Sequence, residues 1–236
     1  MVKGNSDVRE LMICLLAVLG LGTAASAGAG DVVLFDGGAV AAGRIVLPPA
    51  PSASQRYAAE EYAAYMKKMT GGDVSVVGAD ASGGRTKPGS VVLVTADPSE
   101  NLGEDGFTLR SRGDVLEIRG SRVRGCLYGV YELLERFGGC RWYASDFEVV
   151  PKLSRLVVPE NLDVTERPAF AMRQAWWYDV KTNPLFAAKL RLNGFNATDV
   201  PVPEEIGGDT FRFGAGLENS HTLFKLMPHQ KYFKEH

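Results

Sequence analysis

The chain has 236 residues, 45% of them hydrophobic and 23% charged, the composition of a globular protein with a real core, which excludes disordered and collagen-like classes. Its formal net charge of −2, with no dense Lys/Arg block, leaves no electrostatic footprint for nucleic acid. The expected partner is a neutral one such as a carbohydrate, or none.

Residues 1–27 have the pattern of a secretory signal peptide. Lys3 and Arg9 flank the start, Leu11 to Leu21 form an apolar core, and Ala25-Ser26-Ala27 offers a small-residue cleavage site. Cleavage predicts a mature protein starting near Gly28 and a secreted or periplasmic location. Asp7 and Glu10 dilute the positive leader, so an uncleaved anchor is the alternative, opposed by an apolar run too short to span a bilayer comfortably. No membrane span is expected after cleavage. Cys14 leaves with the signal, so Cys126 and Cys140 remain in an oxidising setting. They either close a bridge from helix to strand or stay as small buried residues. No Cys/His spacing suggests zinc, and Gly214-Ala215-Gly216 lacks the rest of a nucleotide fingerprint, so neither metal nor cofactor is expected.

Asp31 to Phe35 and Gly43 to Leu47 read as strands, the second stopped by Pro48-Pro49-Ala50-Pro51. Ser52 with Gln55 forms a capping box for a helix whose stripe is Ala58, Tyr62, Tyr65 or Met66, and Met69, ended by Gly71-Gly72. Val74 to Val77 is a short strand and Ala79 to Gly89 a polar, Gly-rich loop. The unbroken β-branched run Ser90 to Thr95 predicts a strand buried on both faces. Phe107, Leu109, Leu116 and Ile118 alternate on two runs joined by Gly113-Asp114, a hairpin with one apolar face. Ser121 is placed to cap a helix with the stripe Val123, Leu127, Val130, Leu134 and Phe137, stopped by Gly138-Gly139 before a return strand. Gly125 and Gly129 inside that helix each cost about 1 kcal/mol against alanine, which predicts close contact with a strand. The expected fold class is α/β, a mixed sheet with packed helices on both faces or heavily on one, ending near Pro159. Arg155 to Val164 reads as a connector. Pro168 opens a new pattern: an apolar strand at Ala169 to Tyr178, a helix from Asn183 to about Leu192, and Asn193 to Ala197 as the approach to another strand.

Gly106-Phe107, the run Arg124-Gly125-Cys126-Leu127-Tyr128-Gly129-Val130-Tyr131-Glu132-Leu133-Leu134, and Gly138-Gly139-Cys140-Arg141-Trp142-Tyr143 resemble the small α/β domain that precedes the barrel of bacterial β-hexosaminidases and α-glucuronidases, and a related group of uncharacterised secreted proteins. Ala58-Ala59-Glu60-Glu61-Tyr62 with Met69-Thr70-Gly71-Gly72 resembles that domain's first helix. The resemblance implies an α/β domain over residues 28–160 and the first one or two units of a (β/α)8 barrel over 161–236. A complete barrel needs roughly 250 residues, so the expectation is a fragment of a longer exported glycoside hydrolase; the alternative is a non-catalytic carbohydrate-binding or structural module. In such hydrolases the acid pair sits on the fourth barrel strand, so the resemblance assigns no catalytic residue here.

Arg173 matches an arginine that, in those families, reaches the sugar from the end of the first barrel strand. Gln174 departs from the glycine that follows it in hexosaminidases. A guanidinium fork suits hydroxyls or a carboxylate, and the neighbouring Trp176, Trp177 and Tyr178 either stack on a pyranose ring or fill an interface. Arg173, Trp177, Asp179 and His221 are therefore the candidate substrate contacts, Asp179 and His221 because they lie beyond apparent strand ends. Glu60-Glu61, Glu132 with Glu135, and Glu204-Glu205 read as solvated charge. Nothing in the sequence defines an oligomeric state.

Overall fold

The computed structural model describes residues 30–37, 43–79, 86–194 and 201–208. Ten strands lie among these residues: β1 (Val32–Asp36), β2 (Arg44–Leu47), β3 (Ser75–Gly78), β4 (Ser90–Thr95), β5 (Phe107–Arg112), β6 (Val115–Gly120), β7 (Arg141–Ala144), β8 (Phe147–Val149), β9 (Arg155–Val158) and β10 (Asp163–Glu166). The helices are α1 (Ala53–Thr70), α2 (Gly125–Arg136) and two short ones, α3 (Tyr178–Thr182) and α4 (Pro184–Lys189). Six strands form one mixed sheet in the order β10-β5-β6-β4-β2-β3, parallel from β6 to β3 and antiparallel at the β5 and β10 edge. β1 pairs with β9 and β7 with β8 in two separate antiparallel ribbons.

α1 starts where its sequence says. The Ser52 hydroxyl accepts from the Gln55 amide while the Gln55 side chain accepts from the Ser52 amide, and Gly71 ends the helix at φ 78°. Its stripe of Ala58, Tyr62, Tyr65, Met66 and Met69 is buried, each large side chain contributing about 1.5–3 kcal/mol of transfer free energy. α2 lies against the hairpin at its bare glycines. A Cβ on Gly129 would stand 2.5 Å from Ile118 Cγ2, and one on Gly125 would stand 2.4 Å from the Gly106 carbonyl oxygen. The two glycines therefore let backbone and sheet meet, as the sequence predicts.

The helices cover one face. Ile45, Val91, Leu93, Phe107, Leu109, Leu116 and Ile118 are buried and share that face by register, whereas Val92, Val94, Glu117 and Arg119 of the opposite face stay partly exposed. The expectation that Ser90–Thr95 is buried on both sides is thus corrected: a continuous apolar run does not reveal which alternate residues a helix layer will cover.

Other expectations shift in detail. Ser121 does not cap α2 directly; its hydroxyl accepts from the amides of Val123, Arg124 and Gly125 in the turn before the helix, whose first residue is Gly125. Gly139, at φ 70°, reverses the chain after α2. The return strand β7 pairs only with β8 and does not enter the main sheet. The connector reading of Arg155 to Val164 is replaced by two strands, β9 closing on β1 and β10 extending the sheet edge beyond β5. Ala169 to Trp177 forms no strand. Its backbone-to-backbone bonds are instead those of the Arg173 carbonyl, which accepts from the Asn193 and Gly194 amides at 3.1 and 2.9 Å, and of the Trp177 carbonyl, which accepts from the Lys181 amide at 2.9 Å. The expected helix from Asn183 to about Leu192 shortens to α4, and α3, which was not expected, precedes it and meets it at Asn183. Cys126 and Cys140 are buried and unbridged. No described helix is long and apolar enough to cross a membrane. The signal segment, Gly214-Ala215-Gly216 and His221 lie outside the described residues.

Candidate functional site

The site begins with a loop. The Gly106 amide bonds back to the Leu102 carbonyl, and the Arg124 amide and Ser121 hydroxyl both donate to the Glu104 carbonyl, so residues 102–106 are pinned to the entry of α2. That fastening puts the Asp105 carboxylate, 6% exposed, beside the fully buried Arg124 guanidinium, whose Nε donates to Oδ1 at 2.5 Å. Arg124 Nη2 also reaches Glu104 at 2.7 Å. A buried carboxylate is tolerated only when charge and hydrogen bonds compensate it. The rest of the compensation comes from residues nearly seventy or more positions later. Arg173 Nη2 and Asn193 Nδ2 donate to Asp105 Oδ2 at 2.7 and 2.5 Å. Asn193 further donates to the Ala171 carbonyl and accepts from the Arg173 amide, both at 2.7 Å.

Arg173 is held on four sides. Nε and Nη2 form a fork on the Arg191 carbonyl at 3.0 and 2.9 Å, and Nη1 donates to the Phe170 carbonyl at 3.0 Å. One Nη1 hydrogen is left for another acceptor, and the side chain, 19% exposed, forms part of the walls of two cavities of about 450 and 430 Å³. The first is bounded by Phe107 and Glu166 of the sheet edge, Tyr128 and Glu132 of α2, and Arg191. Its volume is that of a small-ligand site. Its walls carry both donors and acceptors.

A second polar cluster joins α1, β7–β8 and α4. Tyr65 Oη donates to Glu148 at 2.5 Å and accepts from Trp142 Nε1 and Lys189 Nζ at 2.7 and 2.8 Å. Burial raises the Tyr65 phenol above its ordinary value, and its bond to Glu148 adds to that. Burial also raises the Glu148 carboxyl, but bonds from Lys68 and Tyr65 and the nearby Lys189 ammonium outweigh it and hold the group below its ordinary value. Glu61 accepts from Tyr131 at 2.9 Å.

Of the residues expected from sequence, the structure brings Arg173 to a cavity wall and puts Trp177 and Asp179 elsewhere, while His221 lies outside the described residues. Trp177 occupies the N-cap position of α3 without a capping side-chain bond, is 59% exposed and lines neither cavity at Arg173. Asp179 staples α3 to the β7–β8 turn, accepting from the Ser145 amide and hydroxyl at 2.7 and 2.5 Å; these two bonds lower its pKa, and the group is solvent-exposed. Glu61, Glu132 and Glu135 are not solvated charge. Glu132 and Glu135 lie 3.5 and 2.6 Å from Arg191, and Glu61 4.0 Å from Lys189. The solvated reading fails because Arg191 and Lys189 come from a later segment of the chain; Glu132 also lies 3.6 Å from Arg136, one turn along its own helix. Glu204 and Glu205 are exposed, as expected. Asp105, Arg124 and Asn193 carry no site role in the sequence pattern, although Arg124 opens the family-like run and Asn193 opens the approach to an expected strand. The adjoining Gly106-Phe107 and Gly125 were noticed, but nothing in the sequence says that these three meet. Among the described residues no cluster of His, Cys, Asp and Glu could hold a metal ion.

A family model described as "Domain of unknown function (DUF4838)" matches residues 142–236, less than half of the chain. A search of the curated proteins finds no match. The solved structures that resemble the chain include a GH20 β-N-acetylhexosaminidase from Streptomyces coelicolor A3(2), at 17% identity and TM-score 0.43, covering 63% of this chain and 26% of that one. A mutant β-hexosaminidase of Streptomyces plicatus in complex with GlcNAc product follows at 15% identity and TM-score 0.42, with 62% and 25% covered. A GH138 enzyme targeting pectin rhamnogalacturonan II gives 19%, 0.35, 55% and 12%. The chain spans about a quarter or less of the length of these structures.

Proposed function

We propose that the chain is the accessory N-terminal region of an exported glycoside hydrolase acting on a polysaccharide or glycan. In this reading residues 1–27 are a cleaved signal, 28–160 an α/β domain, and 161–236 the start of a catalytic barrel, with the protein secreted or periplasmic. The motifs around Gly106, Arg124 to Leu134 and Gly138 to Tyr143 support the family resemblance. One observation supports carbohydrate contact above the others. Arg173 is fixed at the wall of a 450 Å³ cavity with one guanidinium hydrogen to spare, among both donors and acceptors, which is what a polyol needs. Asp105, Glu132 and Glu148 are each paired with arginine or lysine, so none stands ready as general acid or base.

The test has two arms. The purified chain should not turn over aryl N-acetylglucosaminide or aryl glucuronide; clear turnover would place the chemistry within it. Calorimetric titration with N-acetylglucosamine, glucuronic acid and a neutral sugar should show binding that Arg173→Lys weakens. A second reading, a structural module, is favoured by the four Arg173 hydrogen atoms already engaged by the protein. It gains if no sugar binds the wild type at all.

A further inference from the structure

The junction between the α/β layers and the segment 168–194 is divided by charge. On one side stand Glu61 of α1, Asp105, Glu132 and Glu135 of α2, and Glu148 of β8. The segment contributes Arg173, Lys181, Lys189 and Arg191 against the single acid Asp179. Three of these four bases meet the acids: Arg173 with Asp105 at 2.7 Å, Lys189 with Glu148 and Glu61 at 3.8 and 4.0 Å, and Arg191 with Glu135 and Glu132 at 2.6 and 3.5 Å. The acids come from four different elements and are answered only in part on their own side, Asp105 by Arg124 at 2.5 Å, Glu148 by Lys68 at 2.7 Å and Glu132 by Arg136 at 3.6 Å. Excess like charge on one surface is unfavourable unless a cation covers it.

The segment, for its part, has little to hold it in place alone. α3 and α4 have five and six residues, far below the length at which an isolated helix persists in water. Their buried side chains, Val180, Phe186, Ala187 and Ala188, gain shelter only against the rest of the protein. The Tyr128 hydroxyl donates to the Leu192 carbonyl from the α/β side as well.

We infer that the acidic row Glu61–Asp105–Glu132–Glu135–Glu148 is a docking surface for the basic segment 168–194 of this chain, and that docking is a separable, salt-sensitive step. The α/β layers hold their shape through α1, α2 and the sheet; the segment attaches by charge and then orders its short helices. This inference is independent of any sugar-binding role for Arg173. It divides the pairs by kind. Asp105 is buried and weakly screened, whereas Lys189 and Arg191 are partly exposed and feel salt.

Hydrogen exchange of the full chain, read by mass spectrometry, tests it. Raising salt from about 0.01 M to about 1 M shrinks the screening length from roughly 30 Å to roughly 3 Å. Peptides spanning 184–194 should then exchange about tenfold faster, the combined effect of several partly exposed pairs, while α2 peptides at 126–134 keep their protection. Exchange that rises in step for both regions, or that ignores salt in both, overturns the inference. Arg191→Gln should raise exchange at 184–194 in low salt and reduce the salt response, leaving the part that the Lys189 pairs carry. An unchanged profile in that variant overturns it too. If the substitution also strips protection from α2, the wild-type salt titration still decides.

Discussion

Removing the Asp105 carboxylate is the sharpest perturbation available. Asp105→Ala takes one carboxylate from the fully buried Arg124 guanidinium, which Glu104 still meets, and takes an acceptor from Arg173 and from Asn193. Stripping one partner from a buried ion pair costs about 3–5 kcal/mol. Because Glu104 still answers part of the Arg124 charge, the low end applies, about 3 kcal/mol. For a chain of this size each kcal/mol moves the midpoint by about 2–4 °C, so thermal unfolding followed by circular dichroism should show a drop of about 6–12 °C. Arg173→Ala leaves Arg124 and Asn193 on Asp105 and should cost less, about 1–2 kcal/mol. The double variant should be less destabilised than the two losses added together, with a coupling of about 1 kcal/mol or more. A midpoint shift below about 2 °C for Asp105→Ala, or strict additivity in the cycle, would refute the reasoning that one carboxylate neutralises two arginines.

Gly125→Ala should be worse than Gly129→Ala, since the first forces a methyl against a backbone carbonyl and the second against an Ile118 methyl that can yield; urea midpoints should rank them so, with Gly129→Ala costing about 1–3 kcal/mol before its helix-propensity gain. Tyr65→Phe removes the acceptor for Trp142 and Lys189 and should cost about 1–3 kcal/mol. The depressed Glu148 carboxyl contributes stability above its ordinary value of 4.5, and that contribution is lost as pH falls through its lower folded value; Glu148→Gln should therefore flatten the acid limb of the melting curve. Ser52→Ala breaks the capping box and the bond to the Arg122 carbonyl, for a loss of about 1 kcal/mol by denaturant titration.

What could be read in advance was local. The Ser52–Gln55 capping box, the Gly113 turn and the α2 glycines each announce themselves within a few residues, and each holds. β9 and β10 were hidden because four-residue strands beside prolines carry too short an alternation to separate from a linker. The run Ala169 to Tyr178 reads as a strand because it is apolar and aromatic, yet a strand exists only beside a partner, and no described strand pairs with it. The candidate site was least legible of all. Arg173 was found through resemblance, while Asp105 and Asn193, which hold it, are separated from it by 68 and 20 positions. Acidic helix residues look solvated until their cations arrive from elsewhere in the chain.

The two described thiols make the molecule its own opening gauge. Burial pushes both Cys126 and Cys140 up to about 11, so at neutral pH neither is a ready nucleophile while the protein is closed. Cys126 sits at the seam between α2, the Gln55 side chain and the Val94 carbonyl, whereas Cys140 touches Met69 at the far end of α1. A thiol reagent added to the native protein would therefore tag each position only as fast as that seam parts. Peptide mapping of the two adducts over time would give two separate clocks, one for each end of the helical layer, without any substitution in the chain.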